Sequence, residues 1–421
     1  MKIIIDKRVF SNSAWIILEK FLGVFGLIFV NSYMAKYIGP ENFGKLAFTT
    51  SVFIFVQTLS WFGAQNILFK RFSENIQSGI RLAIATQSMR CYIYILASFC
   101  ALLYLWFSSD SLTFIFGIGN CIASYFIIND IYSIYNNSQL ISIVNVLTNT
   151  IGLFLALALR FILVIVEADL YTMIFPIILL AMVPYILRKI YFYNNYRNNR
   201  LIKSKKRYNK YMLITGGSLV LSSLSIVLYT QISNIFLAKF TSFTNLGIYN
   251  VALTLGSSWG FINIALITSY FSKIYAENDN SIELQYLRQI HWLVILITFF
   301  VIAGVFLVGS WVVNTLYGAD FTEAIKVLPI IVLATMCSAL GTISYRYMIK
   351  LNGYKYLSIK MISISFLSVP LSYGFIQYYG VWGAGICFFL IEFISLTFAN
   401  YFFKDQVILK LHLSVIGLKN D

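Results

Sequence analysis

Long apolar stretches recur along almost the whole chain and constrain its fold more than any other feature. The 421 residues are 59% hydrophobic and only 11% charged, and the mean hydropathy is +0.79. A run of roughly 20 apolar residues can cross a bilayer as a helix, so the pattern predicts an all-α polytopic membrane protein. Polar residues, Gly and Pro divide the chain into twelve predicted spans: 12–38, 43–69, 81–107, 112–136, 138–166, 170–193, 211–238, 246–272, 288–314, 324–349, 354–379 and 380–403.

The distribution of Lys and Arg predicts how these spans are oriented. With the amino terminus inside, most of the 31 Lys and Arg residues fall on the inner side, and the outer loops contain only Lys36, Lys45, Lys239 and Lys326. The positive-inside rule then predicts that both termini are cytoplasmic. The net charge of +15 is explained mainly by this topology, and we do not expect nucleic acid to bind.

The longest hydrophilic segment lies near the middle of the chain and divides it. We predict an amino-terminal six-helix lobe at 1–193, a basic cytoplasmic linker at 194–210 and a carboxy-terminal six-helix lobe at 211–403. The remaining residues, 404–421, alternate charged and apolar residues. They form a predicted cytoplasmic amphipathic tail that is suited to lie along the inner leaflet.

An internal repeat relates the two lobes. At an offset of 203 positions, Asn31, Ala35, Lys36, Asn42 and Gly44 match Asn234, Ala238, Lys239, Asn245 and Gly247. Because six predicted spans separate the copies, both lobes enter the membrane with the same orientation. Such a parallel repeat predicts a pseudo-two-fold axis along the membrane normal, with a substrate cavity between the halves.

Motifs of soluble enzymes are absent from the sequence. It contains no phosphate loop, no Gly-x-Ser-x-Gly and no His-Glu-x-x-His motif. The five cysteines all lie in apolar segments without metal-ligand spacing, which is typical of inert core residues. We therefore expect no enzyme activity, no cofactor and no metal site.

Basic residues at membrane depth are the first candidates for substrate binding. Lys20, Arg90 and Arg160 lie within predicted spans of the first lobe, and Arg346 lies near the inner end of the tenth span. A charge at the centre of a span costs about 2.5–3.5 kcal/mol, so it is expected to face protein or a wet cavity. Arg and Lys suit diphosphate groups, and these four residues form the predicted diphosphate site. Arg90 and Arg160 would alternatively extend to the interfaces and bind lipid phosphate.

Acidic residues at membrane depth are candidates for coupling to a proton or cation. Glu19 precedes Lys20 in the first span, Asp130 lies in the fourth span and Glu392 in the twelfth. Glu19 and Lys20 would alternatively neutralise each other in the bundle. Asp130 would alternatively sit near a helix end, and Glu392 would be packed, paired or protonated.

Uncharged polar residues in spans seven and eight are weaker candidates. Their amide and hydroxyl groups suit sugar hydroxyls, although interhelical hydrogen bonds are the commoner use of such side chains in membranes. The residues concerned are Tyr229, Gln231, Asn234, Asn250 and Asn263.

Three segments together resemble a known family. Glu19-Lys20, the turn at Ala35–Gly44 with its Gly-Pro-Glu-x-Phe-Gly motif, and Gly247–Ala252 resemble the Wzx-type polysaccharide flippases. These belong to the MATE-like MOP superfamily and are relatives of the multidrug extruders and lipid II flippases. The sequence departs from the family pattern at Gln231–Asn234, where members often carry an acidic residue.

The resemblance implies a specific transport reaction. A flippase of this family moves undecaprenyl-diphosphate-linked oligosaccharide units across the bacterial inner membrane by alternating access, for O-antigen, lipopolysaccharide or capsule synthesis. It implies as partners the lipid-linked oligosaccharide, membrane lipids, a polysaccharide polymerase and a chain-length regulator. The alternative function is an ion-coupled multidrug or toxin extruder of the same fold, which would require an acidic cavity rather than a basic one.

Overall fold

The structure is a computed structural model that describes residues 7–195, 205–277 and 279–417. These residues are almost entirely helical, and no β-strand occurs among them. The helices are α1 (Lys7–Trp61), α2 (Ala64–Glu74), α3 (Ile76–Ser108), α4 (Ser111–Asn129), α5 (Ile131–Ser138), α6 (Ser142–Ile165), α7 (Ile174–Asn195), α8 (Lys205–Phe240), α9 (Phe243–Ser258), α10 (Gly260–Ala276), α11 (Asn280–Leu316), α12 (Glu323–Lys350), α13 (Tyr354–Leu396), α14 (Phe398–Tyr401) and α15 (Val407–Val415). Short 3-10 helices lie at Leu170–Met173, Ala319–Phe321 and Lys404–Gln406.

Ten helical segments of the described chain are long and apolar enough to cross a membrane. One of them, Asn31–Trp61, runs across the junction of the first two predicted spans, and another, Tyr354–Tyr401, runs across the junction of the last two. The other eight segments each correspond to one predicted span. The prediction of an all-α polytopic membrane protein is therefore confirmed.

Two glycines interrupt the helices that are too long for a single pass. α1 has 55 residues, which at about 1.5 Å per residue is more than twice the roughly 30 Å of hydrocarbon in a bilayer. Gly39 breaks it with φ 75° and ψ 167°, and Pro40 disfavours helical geometry at the preceding residue. Gly380 breaks α13 with φ 55° and ψ −126°. Both breaks fall where the sequence predicts one span to end and the next to begin.

Several predicted boundaries shift. The second span was expected to continue to residue 69, but α1 ends at Trp61 because Phe62 and Gly63 adopt left-handed backbone conformations with φ 47° and 69°. The eighth span is divided into α9 and α10 at Trp259. Its indole nitrogen donates to the Gly256 carbonyl over 2.8 Å, which satisfies one carbonyl at the end of α9.

The chain forms two compact units. Unit 1 comprises Met1–Ile38 and Lys45–Val227, and unit 2 comprises Gly39–Gly44 and Leu228–Asp421. Helix α8 therefore contributes to both. This division falls within α8, 16 residues beyond the predicted start of the second lobe at 211, and the lobe assignment itself stays a prediction.

Each unit is built around one central helix. In unit 1, α7 packs against α4 and α6. A Cβ at Gly152 would lie 2.7 Å from the Pro184 ring, so α6 and α7 approach closely there. In unit 2, α12 packs against α9, α11 and α13, and its buried Ile331 and Ile343 are fully enclosed.

A reciprocal contact in unit 2 involves matched positions of the repeat. A Cβ at Gly44 would lie 1.7 Å from the Phe243 carbonyl oxygen, and a Cβ at Gly247 would lie 2.1 Å from the Pro40 carbonyl oxygen. Pro40 and Phe243 are separated by the same offset of 203 as Gly44 and Gly247. Each copy of the turn thus places its glycine on the backbone of the other copy.

The end of the described chain packs on protein. Ile408 and Leu411 of α15 belong to the buried core that includes Ile290 of α11. The Trp292 indole donates to the Val415 carbonyl over 3.1 Å. The sequence predicts that this helix lies along the inner leaflet. In the structure its apolar residues instead pack against α11, since an apolar helix face can be buried by protein as well as by lipid.

Candidate functional site

Arg90 is the largest fully buried side chain of the described residues and lies inside unit 1. It occupies the face of α3 that packs on α4, and its Nη1 donates to the Ile128 carbonyl over 2.8 Å. That carbonyl belongs to the last turn of α4, where backbone acceptors lack intrahelical donors and a positive charge is favoured. The guanidinium carbon lies 5.3 Å from the centre of the Trp61 ring. The sequence predicts that Arg90 is buried at membrane depth. The structure shows its contacts, which are the Ile128 carbonyl of α4 and the Trp61 ring of α1.

A small pocket opens next to Arg90 within unit 1. Gln87, Arg90 and Asn129 contribute polar groups to its lining, and isoleucines and aromatic residues contribute the remainder. The aromatic residues are Phe72, Tyr132, Tyr135, Phe192 and Tyr193. We call this the Arg90 pocket.

The dimensions of the Arg90 pocket limit what it accommodates. Its space for water-sized groups is about 60 Å³, whereas a single water needs only about 10–15 Å³ of such space. The pocket therefore accommodates a group of the size of a phosphate or a few hydroxyls, and not an oligosaccharide. Pockets with apolar walls and a few converging polar groups are typical of ligand sites.

The electrostatics of the Arg90 pocket favour an anion. Arg90 is 2% exposed, and its Nε has no hydrogen-bond partner in the described part of the protein. No ion pair of the described residues involves Arg90 either. A buried guanidinium that lacks both a carboxylate and a partner for one of its N–H groups is unfavourable. A phosphate oxygen would satisfy it.

Asp130, the nearest acidic candidate along the chain, is engaged elsewhere. Its carboxylate lies 3.2 Å from Arg188 Nη1 and accepts from the Ser133 amide at the start of α5 over 3.2 Å. Arg188 also donates from Nη2 to Asn149 over 2.6 Å. Asp130 therefore neutralises a buried arginine and begins a helix, and its role in ion coupling stays a prediction.

The remaining residues of the predicted diphosphate site are distributed over both units. Arg160 is buried in unit 1, where its Nη1 donates to Asn31 over 2.6 Å and its Nε lacks a partner among the described residues. Arg346 is half-buried in unit 2, where its Nη2 donates to Thr268 over 3.2 Å. Glu19 and Lys20 are on α1, but their side chains lie outside the described residues. Within unit 1, Arg90 and Arg160 thus donate to different partners, the Ile128 carbonyl of α4 and Asn31 of α1.

The predicted sugar-binding residues divide into three settings within unit 2. Asn234 donates to Gln231 over 3.0 Å and accepts from Asn250 over 3.5 Å, so these three amides form a chain. Tyr229 packs against a small apolar cluster. Asn263 is 1% exposed, and neither of its amide atoms has a partner within the described residues. Only the first group forms a continuous polar surface.

Glu392 lies in a polar cluster that sequence reasoning missed. It is buried in unit 2, within electrostatic range of Lys360. The Lys360 ammonium itself donates to Asn400 over 2.7 Å. Lys360 falls inside the predicted span 354–379, and it is 5% exposed within α13.

The partners of the predicted acids were not predicted from the sequence. Lys360 and Arg188 both lie inside predicted spans, close to the ends that the positive-inside rule predicts to be cytoplasmic, so the sequence alone does not mark either as a site residue. The signal that would have found Arg188 is its position one turn after Pro184, inside an apolar helix. Gln87 also escaped notice, although it lies one helical turn before Arg90 and therefore on the same face.

Comparison with known proteins gives a family match. The sequence profile of the family described as polysaccharide biosynthesis protein matches residues 9–271, which is more than half of the 421 residues. A search of curated proteins found no match.

Solved structures share the fold over nearly the whole chain. The lipid II flippase MurJ in an inward closed conformation has a TM-score of 0.70 at 16% identity, covering 97% of this chain and 91% of that one. An inward-facing multidrug resistance MATE transporter of the MOP superfamily has a TM-score of 0.60 at 12% identity, with 95% of both chains covered. A mutant of the Vibrio cholerae MATE transporter VcmN has a TM-score of 0.56 at 13% identity, covering 97% of this chain and 99% of that one. At these identities the likeness shows the fold, and the predicted MATE-like architecture is confirmed.

Proposed function

The chain belongs to the polysaccharide biosynthesis protein family, and from that premise we propose that it is a flippase for undecaprenyl-diphosphate-linked oligosaccharide. It is a multi-pass membrane protein with the fold of flippases and transporters. We propose that it resides in the bacterial inner membrane with both termini in the cytoplasm, as the distribution of Lys and Arg predicts. A diphosphate and its sugars cannot cross hydrocarbon unaided because their desolvation is too costly.

The observation that carries this proposal is the state of Arg90. It is a buried cation with an unused N–H group, next to a pocket of phosphate size. A drug extruder that prefers cations would place a carboxylate there. The proposed diphosphate-binding residues are Arg90, Arg160, Lys20 and Arg346, with the Arg90 pocket as the best-supported element.

The test is transport in proteoliposomes that contain the purified full-length chain. The substrate is a polyprenyl-diphosphate oligosaccharide, and transfer is measured as accessibility of its sugars to an impermeant oxidant on the far side. We expect Arg90→Gln to slow transfer by about tenfold or more, since a hydrogen bond to a charged group is worth about 1.5–3 kcal/mol. Arg90→Lys retains the charge without the planar fork, so its transfer rate should lie between those of the unmodified chain and the Arg90→Gln variant.

Matched controls separate binding from folding. Arg81 is exposed on the same helix, so Arg81→Gln removes an equal charge outside the pocket. Gln87→Met removes an exposed amide of the pocket at nearly constant volume and should reduce transfer without loss of folded protein. Equal transfer by the Arg90→Gln and Arg81→Gln variants would contradict the assigned role of Arg90, and no transfer by the unmodified chain would contradict the flippase itself.

We propose Glu392 as the residue that binds the coupling proton or cation. It is a buried carboxylate of unit 2, and the ammonium of the nearby Lys360 donates to Asn400. Under an imposed proton or sodium gradient, Glu392→Gln should abolish the gradient dependence of transfer while leaving gradient-free transfer intact. The same buried carboxylate would serve an ion-coupled drug extruder, which is the second candidate function. Gradient-driven drug uptake without any transfer of the lipid-linked sugar would favour it.

The proposed partners follow from the proposed reaction. A polysaccharide polymerase and a chain-length regulator would use the transferred oligosaccharide, and membrane lipids would surround the protein during transfer. Co-purification of either protein with the tagged chain from its native membrane tests that part of the proposal.

A further inference from the structure

A second basic pocket lies in unit 1, away from the Arg90 pocket. It is lined by Arg71 of α2, Ser78 and Leu82 of α3, and Arg207, Tyr208 and Tyr211 of α8, and its volume for water-sized groups is about 290 Å³. We call it the Arg71 pocket. None of these residues lines the Arg90 pocket.

A close helix crossing explains why α8 reaches α2 at this point. A Cβ at Gly216 would lie 2.3 Å from the Phe62 carbonyl oxygen, and a Cβ at Gly63 would lie 2.8 Å from the Leu219 Cβ. Only glycine allows such an approach of two backbones. The crossing directs the first turns of α8, with Arg207 and Tyr211, along α2.

The arginines of the pocket are oriented and incompletely neutralised. The Arg71 guanidinium lies 5.3 Å from the centre of the Tyr211 ring, which fixes its plane. Glu74 is shared, since it lies 3.9 Å from Arg71 and 3.8 Å from Lys70. No ion pair among the described residues involves Arg207.

A larger groove extends from the Arg71 pocket along the same helices. It offers about 440 Å³ to water-sized groups, and Arg71 and Tyr211 line both spaces. Apolar Ile67 and Leu219 form part of its wall together with Lys70. A basic pocket that continues into a partly apolar groove matches a ligand with a phosphate and a hydrocarbon part.

We propose that the Arg71 pocket binds the phosphate group of a membrane lipid, with the groove receiving the adjoining part of that lipid. Two guanidiniums and two phenol groups provide charge-assisted and neutral donors for phosphate oxygens. The pocket lies at the end of the bundle that the positive-inside rule predicts to face the cytoplasm, and basic pockets at that surface suit anionic head groups.

Two lipids present this chemistry. One is an anionic phospholipid, which would act as a regulator. The other is the diphosphate of the transported lipid before transfer, and that reading rests on the proposed function.

The experiment measures lipid binding to the purified full-length chain by titration calorimetry in detergent. The probes are dihexanoyl phosphatidylglycerol, farnesyl diphosphate and dihexanoylglycerol, which has no phosphate. The variant is Arg71→Gln with Arg207→Gln. Its control is Arg81→Gln with Lys210→Gln, which removes the same charge from exposed positions outside the pocket.

We expect the variant to weaken binding of a phosphate-bearing probe by about tenfold for each guanidinium removed. The control should change it by less than about twofold, because neither Arg81 nor Lys210 lines the pocket and a charge outside it acts on the ligand only through solvent. Dihexanoylglycerol should not bind in either case. A loss restricted to phosphatidylglycerol identifies the regulatory lipid, and a loss restricted to farnesyl diphosphate identifies the substrate.

Three results would overturn the proposal. They are equal binding by variant and control, equal binding of dihexanoylglycerol, or loss of binding only when Arg90→Gln is introduced. The readout does not require transport. If the unmodified chain binds lipid phosphate here but transfers no lipid-linked sugar, the proposed function fails and this site stands.

Discussion

At the scale of single residues, buried charges in unit 1 fall into two kinds. Arg188 is fully engaged by Asp130, Asn149 and the Pro184 carbonyl, so it stabilises the bundle. Arg90 has an Nε–H without a partner among the described residues and lines the Arg90 pocket, and its role in binding a ligand stays a prediction. The position of Arg90 deep in an apolar run predicts that this side chain is buried. The sequence does not predict which buried arginine has a carboxylate partner, because such pairs form between helices that are distant along the chain.

The first prediction concerns the Asp130–Arg188 pair. Replacing Arg188 with Met leaves a buried carboxylate without its cation, which should lower the free energy of unfolding by about 3–5 kcal/mol. Thermal unfolding of the purified protein in detergent measures this change.

A second substitution serves as its control. Adding Asp130→Asn to Arg188→Met should recover most of the loss, since the amide oxygen still accepts from the Ser133 amide and no charge is left buried. If the double variant is no more stable than the single one, the pair is not what stabilises this part of unit 1.

At the scale of elements, the breaks in the helices were predictable where glycine and proline cause them. The Gly39–Pro40 break is visible in the sequence for this reason. The break at Asp130 and the division at Trp259 are less visible, because a capping side chain or an indole hydrogen bond stabilises them. In the sequence, a capping aspartate or a hydrogen-bonding tryptophan looks the same as any other polar or aromatic residue.

The second prediction tests the reciprocal glycine contact. Gly44→Ala and Gly247→Ala should each destabilise the protein by about 1–3 kcal/mol or more, because a methyl group cannot fit against the opposing carbonyl. Thermal unfolding of each variant measures the effect.

Gly304 provides a matched control. It lies in α11 with no atom within 4 Å of a built Cβ, so Gly304→Ala should leave stability unchanged or raise it by up to about 1 kcal/mol. A loss at Gly304 equal to that at Gly44 would contradict the packing explanation.

The third prediction concerns α15 and pH. Burial, together with the nearby His291, lowers the pKa of His412 from its ordinary 6.5 to about 4. Its ring also contacts Ser344 over 3.3 Å and Tyr401 over 3.2 Å. Since the packed helix favours the neutral imidazole, the unpacked helix binds the proton more readily between pH 6.5 and 4. Packing of α15 should therefore weaken as the pH falls through this range and be unaffected above it.

Hydrogen exchange of the α15 amides at pH 7 and pH 5 measures this effect, after correction for intrinsic exchange rates. His412→Gln removes the titrating group of α15, whose ring lies 5.6 Å from that of His291, and should reduce the pH dependence of protection. If protection in the His412→Gln variant depends on pH as strongly as in the unmodified chain, the effect belongs to another group.

At the scale of the whole molecule, the class of protein and its fold were available from hydropathy and charge distribution, and the repeat was visible as an offset. The division into units was less accessible. Unit 1 extends to Val227, within α8, because contacts of the first turns of α8 with α2 depend on the Gly63–Gly216 crossing. No local pattern in the sequence reports such a contact.

The fourth prediction uses this division. A protease site inserted within residues 196–204, between the end of α7 and the start of α8, should give, after cleavage, two fragments that co-purify and retain lipid transfer, because the cut precedes α8. The same insertion after Val227 interrupts α8 (Lys205–Phe240) and should abolish transfer. Size-exclusion chromatography and the proteoliposome assay measure the two outcomes, and inactivity of the linker-cleaved protein would contradict the prediction.

The paired contact of Gly44 and Gly247 also limits how the gene can vary. A single base change converts any glycine codon to alanine, yet at either site the added methyl would meet a main-chain oxygen that no neighbouring substitution can remove. A saturation library selected for folded protein in the membrane should therefore return glycine alone at both codons, whereas the Gly304 codon, where a Cβ meets no atom within 4 Å, should also accept alanine.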